Sequence, residues 1–445
     1  MSKNGTTLMT SGSIPGTIIK FAIPVFLGNL FQQLYNAVDS LIVGNFVGGD
    51  ALAAVSSSGS LIFLFNGFVT GIFMGAGVVI ARYFGARDDK NVSRAVHTSL
   101  AFALAAGAAM TIAGMLLTPL ILRLMGTPET VMPNSVLYFR VYFAGSLGVV
   151  TYNAVSGVLQ AVGDSRHPLY YLIVSSVLNV ALDLLFVAVL ELGILGAGIA
   201  TVISQFTSAL LGLARLLRSE TVYRITPSKI GFDMPIFREI MKIGLPSGVQ
   251  NSIISLANVV VQSNINAFGA QAMAGCGAYS KIEGFAFLPV TSFTMAITTF
   301  VSQNLGAREH ARARRGAFFG IISCITIAEL IGITINLLAP ELISMFNSEK
   351  AVVGYGAMMA GITTLFYCLM AYSHCMAAVM RGCGRSMVPM LVMLVCWCAI
   401  RVTYITVIVR IIPDIRCVFW AYPITWALST IVYTAYYFIK KPLDA

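Results

Sequence analysis

Twelve long apolar stretches leave this chain few architectures to choose from. They cover roughly residues 17–44, 52–81, 94–118, 134–160, 168–190, 195–217, 243–268, 274–301, 315–338, 355–379, 387–412 and 417–439. A helix of about 20 apolar residues spans the hydrocarbon of a bilayer. Lipid offers no partner to an open sheet edge, so each stretch is expected to cross as a helix. Only 10% of the 445 residues are charged, against about 25% in soluble domains. No polar stretch is long enough to hold a soluble core. The fold class is therefore all-α, a polytopic membrane protein. The first stretch is too long for the core of a cleavable signal and has no small-residue cleavage site, so it reads as a retained helix.

The net charge of +10 does not point to nucleic acid, because the basic residues lie in short loops between apolar stretches. With the N-terminus placed inside, 21 of the 28 Lys and Arg fall on the cytoplasmic side, from Lys3 and Lys20 through Arg87 and Arg308 to Lys440 and Lys441. The positive-inside rule then puts both termini in the cytoplasm. The eight Cys lie between Cys276 and Cys417, mostly within apolar stretches. Cys396 and Cys398 point apart on a helix, and the pattern is neither a disulfide framework nor a zinc site.

The sequence repeats itself. Pro24, Asn29 and Asn36 recur 222 residues on as Pro246, Asn251 and Asn258. Gly85-Ala86-Arg87 with Arg94 recurs 221 on as Gly306-Ala307-Arg308 with Arg315, and Gly163, Ser165 and Pro168 recur at the same offset as Gly384, Ser386 and Pro389. A shared offset across three separate motifs marks a duplicated unit. The expected organisation is a six-helix lobe over 1–217, a cytoplasmic linker over 218–242 carrying Arg224, Lys229, Arg238 and Lys242, and a second six-helix lobe over 243–445. Two pseudo-symmetric lobes with one shared topology suit a transporter that alternates access to a central cavity.

Acids inside apolar stretches point to a site. An Asp at mid-helix costs roughly 2.5–3.5 kcal/mol on insertion scales, so it faces a polar cavity or a partner. Asp39 lies 15 residues beyond Pro24, and Asp183 lies 15 beyond Pro168, which sets them at one depth. Asn179 shares a helix face with Asp183. The next stretch runs back inward and brings Thr201 to about that level. Four oxygen-bearing side chains suit Na⁺, by extension of the rule for hard cations. Two acids held close in low dielectric also suit sharing a proton. A structural hydrogen-bond network between helices is the plainer alternative.

The motifs together resemble the multidrug and toxic compound extrusion (MATE) family, over nearly the whole length. The resemblance rests on Pro24 followed by Tyr35-Asn36 and Asp39, the repeated Gly-Ala-Arg loops, Gln160-Ala161 with Gly163-Asp164 and Pro168, and Asn179 with Asp183. It implies that Asp39, Asn179, Asp183 and Thr201 bind the coupling ion. It also implies that the first helix bends at Pro24 when the ion state changes; a static kink there is the other reading, since Pro weakens a helix either way. One departure stands out. Some relatives carry a coupling acid near the start of the seventh helix, and here that helix has none. Val261 and Tyr404 stand at the repeat positions of Asp39 and Asp183.

Lys281, Glu283, Glu329 and Arg401 are also intramembrane, and ion pairing among them is expected. Asn251, Asn258 and Gln262 share one face of the seventh helix. Together with Asn36 and Glu283 they are candidates for lining a substrate cavity. Met-rich surfaces suit promiscuous binding, but they name no residue. The sequence lacks a P-loop, and its four His are scattered. Neither Asp sits in an Asp-rich metal motif, so an enzyme is disfavoured. A lipid-linked oligosaccharide flippase would want a basic cavity, whereas the first-lobe acids favour cations. The expectation is thus a monomeric, Na⁺- or H⁺-coupled antiporter in a prokaryotic cytoplasmic membrane. It would export small organic cations or amphipathic compounds and need no cofactor.

Overall fold

The computed structural model describes residues 8–47, 49–124, 127, 129 and 131–444. Lys3 lies outside the described residues. Among them, twelve helical spans follow one another: α1 (Ile14–Phe46), α2 (Gly49–Gly85), α3 (Asp89–Leu124), α4 (132–161), α5 (Arg166–Val189), α6 (Gly193–Arg218), α7 (Met234–Asn266), α8 (Ala270–Gly306), α9 (His310–Leu337), α10 (Lys350–Gly382), α11 (Met387–Ile411) and α12 (Ile415–Lys440). Among the described residues there is no strand. Ten of the twelve are long and apolar enough to cross a bilayer as they stand, and α4 qualifies as two helices bent by 44° at Gly145. The exception is α7, which carries Gln250, Asn251, Asn258, Gln262, Asn264 and Asn266.

Three spans depart from regular α geometry. α10 is interrupted by a 3-10 turn at Thr364–Phe366. α5 ends in a π-helical segment, Leu184–Val189, and α11 contains another, Leu394–Ile400. Such π segments concentrate at functional sites. The first directly follows Asp183 and the second directly precedes Arg401.

The chain forms two compact units. One contains Leu27–Met241, and the other contains Met9–Phe26 with Lys242–Ala445. The unit borders thus fall inside α1 and inside α7 rather than in the loops. Residues 218–241, read from sequence as a linker, pack within the first unit. Tyr223, Ile225, Ile236 and Ile240 are buried there. Thr226 N–H donates to His97 Nε2 at 2.9 Å, while His97 Nδ1 meets the Ser93 carbonyl at 2.7 Å. Arg94 Nε donates to Asp233 Oδ2 at 2.6 Å, and Tyr83 Oη to Glu239 Oε2 at 2.8 Å.

The second unit has a matching strap, made by the residues before α1. Arg312 donates to three carbonyls within four residues, those of Met9 (3.2 Å), Ser11 (2.9 Å) and Gly12 (2.8 Å). Gln303 Oε1 accepts from Met9 N–H at 2.9 Å. Met9, Ile18, Phe21 and Val25 join the main apolar core of that unit.

The internal repeat is visible in the backbone. Arg87 and Arg308 both adopt left-handed φ, 56° and 61°. Asp88 N–H closes on Tyr83 O at 3.0 Å, as Glu309 N–H closes on Asn304 O at 2.8 Å. The same six-residue helix end recurs at Gly163 (φ 85°) and Gly384 (φ 77°), with Asp164 N–H on Leu159 O and Arg385 N–H on Met380 O, each at 2.8 Å. This is the helix stop normally reserved for Gly. Its retention at two Arg positions 221 residues apart argues for duplication.

Candidate functional site

The first unit brings Asp39 and Asp183 together. α1 carries Asp39, and the Asp39 carboxyl lies within hydrogen-bonding reach of the Asp183 carboxyl on α5. Asp183 is fully buried, and Asn179, one turn earlier, is 1% exposed. Asp39 Oδ1, both Asp183 oxygens and both polar atoms of the Asn179 carboxamide are buried with no hydrogen-bond donor or acceptor from the described residues. Two facing carboxylates are both acceptors, so they cannot bond each other without a proton between them. Buried polar groups left this way are destabilising, at about 1–3 kcal/mol each. The donor set fits one small cation, a proton or a hard ion taken by oxygens. Among the described residues no three of His, Cys, Asp or Glu cluster as a metal site.

Thr201 lies on α6, which packs closely along α5. Its hydroxyl donates to the Ala197 carbonyl one turn back at 3.0 Å. That bond consumes the hydroxyl proton and leaves the oxygen able only to accept, and no bond ties it to either acid. Gly196 lets α6 approach: a Cβ there would sit 3.0 Å from the Phe186 backbone oxygen in the π segment after Asp183.

Neighbours unforeseen from sequence complete the site. Tyr35, one turn before Asp39, has Gln32 and Gln205 around its hydroxyl and feels the charge of both acids. Tyr138 on α4 is buried and feels the same two charges. Tyr142, one turn on, pairs with Asn66 at 3.0 Å. These groups form a polar wall of phenols and carboxamides around the carboxyl pair, drawn from α1, α2, α4 and α6. The signal that could have found them is the run of Tyr at i and i+4 in α4, which faces one side of the helix.

Pro24 sits inside α1, which continues through it without a break; it lies three residues before the border between the units. Of the proposed cavity residues, Asn36 is exposed in the first unit. In the second unit Asn258 is exposed, Asn251 is half-buried, and Gln262 donates to Asn266 at 2.8 Å.

The expected pairing of the second-half charges is not found. Among the described residues no ion pair joins Lys281, Glu283, Glu329 and Arg401. Arg401 is 2% exposed, and its guanidinium lies over Tyr422 (4.5 Å) and Trp397 (5.2 Å) while donating twice to Thr425 Oγ1 at 3.1 and 2.9 Å. Glu283 forms no ion pair with a described residue. Glu329 accepts from the Cys368 amide at 2.8 Å, capping the helix that restarts after the α10 break. Lys281 lies 5.6 Å over Phe346. The pairing rule fails for Arg401, Glu329 and Lys281 because aromatic faces, a hydroxyl and a helix N-terminus serve these three charges instead. All eight Cys are free.

Comparison with known proteins bears on the whole chain. A sequence model described as MatE matches residues 24–185 and again 246–406, the same spacing as the internal repeat. The probable multidrug resistance protein YoeA of Bacillus subtilis is 29% identical over 429 residues, covering 94% of this chain and 92% of that one. The probable multidrug resistance protein NorM of Thermotoga maritima is 27% identical, covering 84% and 81%. An FAD transporter of Shewanella oneidensis is 22% identical, covering 77% of each. A crystal structure of a MATE protein in its straight conformation superposes with TM-score 0.92 at 23% identity over the full length of both chains. A MOP superfamily transporter from Pyrococcus furiosus superposes at 0.93 and 24%, again over both full lengths.

Proposed function

Because this chain belongs to the MatE family, and relatives of it are named as probable multidrug resistance proteins, we propose that it is a cation-coupled antiporter with Asp39 and Asp183 as its coupling pair. The observation that supports this most is the buried carboxyl pair without a protein donor. Two adjacent anions in low dielectric repel strongly. One positive charge between them removes that repulsion and satisfies the orphaned oxygens. Asp39 and Asp183 would hold the coupling ion, H⁺ or Na⁺, with Asn179 and Thr201 supplying neutral oxygens. Loading and unloading that charge changes how α1 packs on α5, and α1 contains Pro24, where a helix bends readily. The two loaded states then bias an alternating-access equilibrium, as any differential binding does.

Exported compounds on this reading are organic cations or amphipaths, since among the described residues the polar wall around the acids carries no basic side chain. Asn36, Asn251, Asn258, Gln262 and Glu283 are the candidate contacts. A flippase or an anion carrier would need cationic groups there instead. The protein acts as a monomer in the cytoplasmic membrane with both termini inside.

The test is efflux of a fluorescent organic cation from proteoliposomes under an imposed H⁺ or Na⁺ gradient. Wild type is expected to respond to one gradient, and Asp39→Asn and Asp183→Asn to neither. Unimpaired transport by both variants would refute the site. An absence of cation efflux under either gradient would favour the flippase reading.

A further inference from the structure

One cationic side chain lies where lipid should be. Arg140 is exposed on α4, eight residues from the helix start at Met132, about 12 Å in at 1.5 Å per residue. It opens onto a groove of about 270 Å³ within the first unit, lined by Met115 from α3, Val141 and Ala144 from α4, and Ile199 and Ile203 from α6. The surface around the groove is apolar. Ile112, Leu116 and Leu120 on α3 are 62%, 73% and 54% exposed, and Ile203 on α6 is 38%. Such a face is bathed by acyl chains, so water does not solvate the guanidinium from the side.

No ion pair or hydrogen bond to a described residue engages the Arg140 side chain. An unpaired Arg in hydrocarbon is expensive. The helix direction supplies the escape: Cβ atoms tilt toward the helix N-terminus, so Arg140 reaches toward the membrane surface at which α4 begins. A side chain that climbs from an apolar groove toward the headgroup layer meets phosphate oxygens, with which guanidinium pairs in a planar fork.

We propose that this groove is a binding site for one glycerophospholipid, with its phosphate on Arg140 and an acyl chain along Met115, Val141, Ala144 and Ile203. The charge complementarity of a lone guanidinium above an apolar slot selects a ligand that has both parts. The site is separate from the carboxyl pair, and it stands or falls independently of the transport reading.

The experiment uses purified full-length protein, delipidated in neutral detergent. It is titrated with phosphatidylglycerol, with a diacylglycerol of the same chains, and with inorganic phosphate. Retained lipid is counted by native mass spectrometry, and Tm is followed in parallel. Only phosphatidylglycerol should be retained and raise Tm. In Arg140→Gln, affinity for the tightest copy should fall about fivefold, the factor one basic group contributes at an anionic lipid surface. Arg140→Lys should keep part of it. Ile203→Trp, which fills the groove and leaves the guanidinium, should lose retention as well. Undiminished retention in both Arg140→Gln and Ile203→Trp overturns the site. Equal retention of diacylglycerol overturns the role of the phosphate, and equal stabilisation by inorganic phosphate overturns the lipid.

Discussion

The two units bury charge in opposite ways. In the second, three of the four intramembrane charges have a settled occupation: Arg401 between two aromatic rings and on Thr425, Glu329 on the Cys368 amide, Lys281 over Phe346. In the first, Asp39, Asn179 and Asp183 are buried together with five polar atoms left unserved. Satisfied charges stiffen a structure and do not change. Unsatisfied ones have two states, occupied and empty, and a machine that moves needs at least one such element. Under the proposed function this difference assigns the ion response to the first unit and leaves the three occupied charges of the second to hold shape.

The largest expected effect is on transport itself. Asp183→Asn should reduce gradient-driven efflux to that of empty liposomes, while Lys281→Gln should transport at the wild-type rate. The reverse pattern would invert the comparison. The next effects are on stability. Arg401→Ala removes a buried guanidinium from its rings and from Thr425, and should destabilise by about 3 kcal/mol, read as a lower Tm in detergent. A Tm unchanged from wild type would mean that Arg401 is not held as described. Glu329→Ala exposes the Cys368 amide at the α10 break and should lower stability by about 1–2 kcal/mol, with faster amide exchange at Tyr367 and Cys368 marking the cap as its cause. Smallest is Gly163→Ala, which places a Cβ at φ 85° and should be destabilising by about 1 kcal/mol. Gly384→Ala should match it, because the two stops are copies; unequal Tm shifts would mean that the repeat is not energetic as well as geometric.

Much of this was readable from residues alone. Counting 15 residues from each helical Pro placed Asp39 and Asp183 at one depth, because helix rise is constant and the spans that carry Pro24 and Pro168 run in the same direction. The seventh stretch was counted from its apolar residues, although its carboxamides make α7 the least apolar of the spans. The phenol of Tyr35 was not legible, since helices apolar on every side give no signal of rotation, and the i, i+4 pair Tyr138 and Tyr142 marked one face of α4 without saying what that face meets. Nor was the neutral company kept by Arg401 and Glu329. Sequence shows that a buried charge needs something, but a ring face, a hydroxyl and a broken helix lie far away along the chain and leave no spacing to read. The straps were hidden for the same reason, because the guanidinium of Arg312 is used on backbone carbonyls that every residue has.

Those straps set a timetable for synthesis. Every anchor of residues 226–239 on α2 and α3 looks backward to chain already made, so the first unit closes as soon as Glu239 emerges. The other strap looks forward. Met9 is separated from Gln303 by 294 residues and from Arg312 by 303. At about 5–20 residues per second, the oldest part of the chain waits on the order of 15–60 s for its seat to be translated. Throughout that interval the base of α1 lies in the bilayer without its mate, which makes it the segment a ribosome-associated insertase would have to shelter.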